Sequence, residues 1–152
     1  MLEINLQNVS SEKQIPNIQV LTDWALLTLK PHLEQGELTI RIVDAAESQM
    51  LNQQYRKKDK PTNVLAFPFA SFPDIEISDP IIGDVVICAE IVNQEAKQQG
   101  KSHTEHWAHI VIHGVLHLLG YDHIISADAE RMEALEIDLL QQLGYANPYE
   151  SD

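Results

Sequence analysis

The run His113-Gly114-Val115-Leu116-His117-Leu118-Leu119-Gly120-Tyr121-Asp122-His123 constrains this chain more than any other segment. His113 and His117 are one helical turn apart, so their imidazoles project from one face. Gly120 can take the left-handed conformation that ends a helix, and the chain can then turn back and bring His123 to that face. A His-x3-His pair alone would read as surface histidines. The glycine stop and third imidazole change that reading to a metal site. Three neutral imidazoles with one open position are the pattern of a catalytic zinc, whereas structural zinc sites usually fill all four positions with protein ligands. The expectation is one Zn2+ per chain on His113, His117 and His123.

The residue after the first histidine is Gly114. Zinc peptidases of the HExxH type place a glutamate there as general base. Glycine cannot accept a proton, so peptidase spacing is present without the peptidase base. Either the metal alone makes a water nucleophilic, or another group helps. Asp122 is one candidate; as a cap, or as the partner of a histidine N–H, it reads equally well.

The same helix carries His106, His109, His113 and His117 within an arc of about 80°. Spacing alone cannot choose among them, because His109 with His113 is also an i, i+4 pair. His113 and His117 are preferred since only they precede Gly120 at a distance that lets His123 join. His109 then reads as a group beside the metal ligands, as substrate-facing, or as a polar neighbour.

The chain has 152 residues, 44% hydrophobic content and a net charge of −13 with histidines neutral. One domain over 1–152 with a substantial core is expected. The charge argues against electrostatic coating of nucleic acid. Yet Arg56-Lys57-Lys58-Asp59-Lys60 gathers four of the ten Lys and Arg residues. Such a patch can hold a phosphodiester; taken alone, it reads more readily as a solvated loop. No signal segment opens the sequence and no apolar run approaches the roughly 20 residues of a membrane span. The lone Cys88 sits in an apolar run and reads as a small buried hydrophobe. A cytoplasmic protein without a membrane partner is expected.

Leu2–Gln7 and Glu37–Val43 alternate as strands, separated by a one-faced helix over Asn17–Leu33. Asp44 and Glu47 suggest a capping box opening a helix to about Tyr55. Val64–Phe67 reads as a short strand, Pro68–Pro80 as an irregular excursion, and Ile81–Ala89 as an inner strand. Helices follow over Glu90–Gln99, over His103–Leu119 with Trp107, Ile110, Val111 and Leu118 on its core face, and from a Ser126 cap to Leu143. The fold class is α/β (α+β), a small mixed β-sheet with helices and the metal-binding helix near the C-terminus.

Several separated motifs resemble the YbeY family of bacterial endoribonucleases, zinc-dependent proteins of ribosomal RNA maturation. They are Leu51-Asn52 with Tyr55 through Phe69, Gly83 through Cys88, His113 through His123, Met132 through Glu136, and Leu143-Gly144 with Pro148-Tyr149. The resemblance implies His113, His117 and His123 as zinc ligands, and Arg56 as the catalytic or phosphate-stabilising residue. Lys57, Lys58 and Lys60 are expected to bind substrate. A guanidinium offers planar donors to the charge that builds on a phosphate; a salt bridge to a neighbouring acid is the plainer role for Arg56. Thr62 and Asn63 read equally as substrate-orienting residues and as caps of the turn. The resemblance further implies single-strand-specific cleavage in small-subunit 3′-end maturation and ribosome quality control, with zinc-bound water attacking the phosphodiester. The partners it implies are RNA and the small subunit or its assembly factors; DNA is not expected. A zinc peptidase or amidase, and a non-catalytic assembly factor with a structural metal, are the competing readings.

Overall fold

The computed structural model describes residues 1–69, 81–121 and 126–149. Strand β1 (Leu2–Asn8) pairs in parallel with β2 (Gly36–Val43). Parallel neighbours require a crossover, and α1 (Ile18–Leu29) supplies it. Next come α2 (Ala45–Arg56), β3 (Val64–Pro68), β4 (Ile81–Cys88), α3 (Ala89–Gln98), α4 (His103–Leu118) and α5 (Ser126–Gln142). The strand order is β1-β2-β4-β3, with β4 parallel to β2 and β3 antiparallel to β4 at the sheet's edge. This is the expected small mixed sheet with helices, and β4 is its inner strand.

Period-two alternation sorts the sheet's side chains between two faces. Leu38, Ile40, Ile42, Val64, Val85 and Ile87 join the main core with α1, α4 and α5. Val43, Leu65 and Val86 form a smaller cluster with Leu51 of α2 and Phe67. Cys88 is buried, and burial raises its thiol pKa.

Several boundaries differ from the sequence reading. Asn17 caps α1 by accepting from Gln19 N at 2.7 Å, but the helix stops at Leu29 rather than Leu33. Pro31 lacks the N–H that another turn would need. The Asp44–Glu47 capping box does not form. Asp44 Oδ1 accepts from the backbone and hydroxyl of Ser11 at 2.9 and 3.0 Å, and Glu47 takes a two-pronged bond from Arg41 at 2.6 and 3.0 Å. Of the Pro68–Pro80 excursion, Pro68 ends β3, and residues 70–80 lie outside the described residues. The cap expected of the Ser126 side chain also lies outside them.

Gly120 ends α4 as expected. At φ 106° it lets Gly120 N reach His117 O at 3.1 Å and Tyr121 N reach Leu116 O at 3.2 Å, which satisfies the last carbonyls of the helix.

Helix α4 packs against α1, α3, α5, β3 and β4. Trp107, Ala108, Val111, Ile112, Val115 and Leu116 are fully buried, so the helix is apolar around most of its circumference, as an enclosed helix must be. Its closest approach to the sheet is at Gly114. A Cβ there would stand 2.8 Å from both Val64 Cγ2 and Val85 Cγ1. The missing glutamate at this position therefore reflects a steric wall as well as a missing base. Gly114→Ala should cost about 1–3 kcal/mol, the range for overpacking a filled core. Denaturant unfolding checks this, and a variant as stable as wild type would mean that the interface can yield.

Candidate active site

A cleft of about 270 Å³ opens where α4 meets the β3 edge. Arg56, Lys58, Lys60, Thr62 and Asn63 line it from one side; His113, Gly114 and His117 line it from α4. The basic loop and the metal helix, separated by half the sequence, thus share one concavity. Among the described residues no carboxylate lines it, although the body is strongly acidic. Among the described residues Arg56 makes no ion pair, so the salt-bridge reading fails there. Lys57 is exposed and does not line the cleft; its Nζ donates to Gln54 O at 3.4 Å. Asp122 and His123 lie outside the described residues.

The loop is held by a polar face of α2 that sequence reasoning passed over. Ser48 and Asn52 are the buried residues of that helix. Ser48 Oγ donates to Thr62 O and accepts from Thr62 N, both at 2.9 Å. Asn52 Nδ2 donates to Lys60 O at 2.8 Å. Lys57 takes the left-handed conformation, φ 60°, at a cost of about 1–2 kcal/mol for a residue with a Cβ. That turn reverses the chain directly after Arg56, so that Lys58 and Lys60 face the same cleft. Only the spacing of two small polar residues, one turn apart on a helix, could have signalled this clamp.

Four of the five histidines of α4, His106, His109, His113 and His117, separate by partner. His106, 3% exposed, meets Glu95 Oε1 at 2.9 Å. His109 turns toward Tyr149 Oη at 3.2 Å and toward a larger cavity of about 560 Å³ that includes Lys101 and Tyr145. His113 Nδ1 lies 2.6 Å from Glu136 Oε1, and His117 Nδ1 lies 2.8 Å from the carbonyl of Tyr121. A backbone carbonyl only accepts, and so does an ionised carboxylate. Both imidazoles therefore donate from Nδ1, and the tautomer this selects for a neutral ring has its lone pair on Nε2.

Glu136 is fully buried and also accepts from Tyr149 Oη. Burial works to raise its pKa, but hydrogen bonds from His109 and His113 outweigh burial and hold it at about 2. Tyr149 is pushed upward by burial and by the Glu136 charge. Sequence reasoning gave neither residue a role. The signal for Glu136 was an acid between Met132 and Leu139-Leu140, on the apolar face of α5.

His109, His113 and Glu136 bring ligand atoms within 4.8 Å of one another, a group that could hold a metal ion. Its closest pair stands 2.6 Å apart. Two donors on one tetrahedral ion, each at about 2.0–2.1 Å, would stand roughly 3.3 Å apart. His113 and Glu136 thus stand at hydrogen-bond distance, closer than two ligands of one ion would.

Comparison with known proteins bears on what this cleft does. A family model described as endoribonuclease YbeY matches residues 3–144. The chain belongs to the YbeY family. The YbeY family comprises metal-dependent endoribonucleases of ribosomal RNA processing. The solution structure of TM1509 from Thermotoga maritima is similar over 99% of this chain and 100% of that one, at 24% identity and a TM-score of 0.59, which supports the fold. The cleft that joins α2, the basic loop, β3 and α4 is the candidate site of this YbeY chain. Among the described residues no helix is long and apolar enough to cross a membrane.

The Glu136 value gives a pH prediction with a definite sign. Its folded-state pKa lies below the roughly 4.3 of an unfolded glutamate. The stability it contributes is therefore complete at neutral pH and is lost as the pH falls through about 4 toward 2. Unfolding of metal-free wild type and Glu136→Gln from neutral pH to about pH 3 should show the gap between them narrowing. A constant gap would show that ionisation of Glu136 does not contribute.

Proposed function

We propose that this chain is a zinc-dependent, single-strand-specific endoribonuclease of ribosomal RNA, acting in small-subunit 3′-end maturation and quality control. The observation that carries the reading is the cleft itself: two histidines of α4 line it together with Arg56, Lys58 and Lys60, and among the described residues no carboxylate does. In this reading one Zn2+ is held by Nε2 of His113 and of His117, with His123 from the adjoining segment as third ligand. The donor chemistry fits, since Glu136 and the Tyr121 carbonyl hold both Nδ1–H groups and direct the lone pairs to Nε2, the usual arrangement behind metal-bound histidines. This set is preferred to His109, His113 and Glu136, where two of the would-be ligands stand at hydrogen-bond distance, closer than two ligands of one ion would. Zinc would supply a water of lowered pKa as nucleophile.

Arg56 offers two parallel donors to the charge that develops on the nonbridging phosphate oxygens, while Lys58 and Lys60 hold the neighbouring backbone. Hydrolysis of peptides is disfavoured, because the wall of Val64 and Val85 leaves no room for a base at position 114. A cytoplasmic protein working with the small subunit or its assembly factors fits a body whose net charge gives RNA little long-range attraction.

Purified chain should cut single-stranded RNA, stop on addition of chelator and recover with zinc. His117→Ala should lose zinc by elemental analysis. Arg56→Ala should keep zinc and fold but lower cleavage by about 10²–10³, with Arg56→Lys restoring only part. Normal cleavage by zinc-loaded Arg56→Ala would sink the assignment, and casein hydrolysis in place of RNA cleavage would sink the reading.

The lysines are separable by position. Replacing Lys58 and Lys60 together with alanine should weaken RNA binding and reduce the log–log salt slope by about 1.4, at about 0.7 per phosphate contact on single strands. Lys57→Ala should change neither. An unchanged slope in the double variant would mean that RNA lies elsewhere.

A further inference from the structure

Two residues near this cleft have no part in the chemistry above. Asn63 lines it beside Val64, and His106 is a histidine of α4 that the metal does not need. The structure joins them through Glu95. His106 lies 2.9 Å from Glu95 Oε1, and Asn63 Nδ2 donates to both oxygens of that carboxylate, at 3.2 and 3.3 Å. Hydrogen bonds from His106 and Asn63 hold the Glu95 pKa below its ordinary range against the effect of burial. Asn63's backbone is fixed as well, since its carbonyl accepts from Cys88 N at 2.9 Å.

A carboxylate can only accept, so the amide must turn its NH2 toward Glu95. The other end of the amide, Oδ1, takes no hydrogen bond among the described residues. Asn63 lines the same cleft as Arg56, Lys58 and Lys60, whose side chains can only donate, and so adds an oriented acceptor to that wall. A phosphate satisfies the cations but has no proton for Asn63. On a nucleotide chain the nearest donor to a bound phosphate is the ribose 2′-hydroxyl, the group that distinguishes RNA from DNA.

We infer that Asn63 Oδ1 accepts from the 2′-hydroxyl beside the phosphate held by Arg56, and that Glu95, itself held by His106, is the positioning residue that fixes this orientation. The inference rests on the RNA reading of the cleft and adds its sugar-selecting residue. Loss of the Asn63 acceptor removes the advantage of RNA while leaving the phosphate contacts in place.

The test is equilibrium binding of the full chain, with chelator present to prevent cleavage, to a short labelled single-stranded RNA, its 2′-deoxy counterpart and its 2′-O-methyl counterpart. Wild type should prefer RNA over both analogues by about tenfold, the worth of one good hydrogen bond. Asn63→Ala should bind RNA as weakly as wild type binds DNA, with its own DNA binding unchanged. Glu95→Gln should keep only part of the preference, because a glutamine amide also donates and lets Asn63 turn over. The preference should persist when the bases are changed, which separates the sugar from a base amino group. A preference retained in Asn63→Ala, equal losses on RNA and DNA, or 2′-O-methyl RNA bound as well as RNA would each overturn the inference. Zinc-dependent RNA cleavage by wild type in a parallel assay separates that failure from failure of the proposed function, which would abolish cleavage itself.

Discussion

The contact between Gly114 and the side chains of Val64 and Val85 sets the position of everything functional in this molecule. Helix α4 is enclosed by three helices and two strands, and an enclosed helix cannot shift without disturbing every neighbour. Bringing its backbone down onto β3 and β4 fixes its height and rotation together. His113 and His117, one residue before and three after the contact, are then carried to the β3 edge, where the basic loop returns to the sheet. A side chain at position 114 would press the helix away from β3 and widen the cleft that Arg56 lines. The residue that looks like a lost catalytic base is better understood as the packing element that forms the site.

The opposite wall depends on a different interaction. Helix α2 lies on the other side of the sheet and buries little apolar surface of its own, so the hydrophobic effect alone does not determine where its end and the following loop go. Ser48 and Asn52 do so with three hydrogen bonds to the backbone of Lys60 and Thr62. Hydrogen bonds to backbone specify geometry more sharply than apolar contacts, and a buried set of them is costly when any member is lost. The left-handed Lys57 fits this picture: strain at one residue persists because its neighbours determine the turn. The outcome is a small cationic surface on an acidic protein. Such a surface would attract a polyanion at one place while the acidic remainder repels it.

The sequence was most legible where periodicity or a glycine carried the message. The alternation of β1 and β2, the apolar run of β4, the core face of α4 and the stop at Gly120 all appear in the structure close to where the residues put them. The parts that were not legible depend on contacts between distant segments. Asp44 and Glu47 matched a local capping pattern, but Ser11 and Arg41 claimed them first. Lys57 belongs to a charge run whose members look equivalent in sequence, and only the chain reversal after Arg56 separates it from Lys58 and Lys60. The four histidines that share one arc of α4 could not be sorted by spacing, because the distinction lies in partners beyond the helix. These are Glu95 for His106, Tyr149 for His109, Glu136 for His113 and the Tyr121 carbonyl for His117. His123 and Asp122, central to the sequence argument, lie in a segment outside the described residues.

Glu136 shows how far the fold accommodates the site. A carboxylate with no exposure is costly to bury, and an apolar residue between Met132 and Leu139 would serve the core of α5 better. It persists because it accepts from His113 and Tyr149 and lies beside His109, so its burial is compensated within one hydrogen-bonded group. That group links α4, α5 and the C-terminal residues around Tyr149, elements with little else to fix the orientation of an imidazole ring. An isolated imidazole at this position could rotate and exchange tautomers, but an imidazole tied to a buried anion presents its Nε2 lone pair in one direction. Rigidity at this histidine is therefore obtained at the expense of apolar packing in the last helix. The same exchange is made on the other side of the cleft, where Glu95 holds the amide of Asn63. In both places an acid with only acceptor oxygens, Glu136 fully buried and Glu95 half-buried, decides which atom of its partner turns toward it.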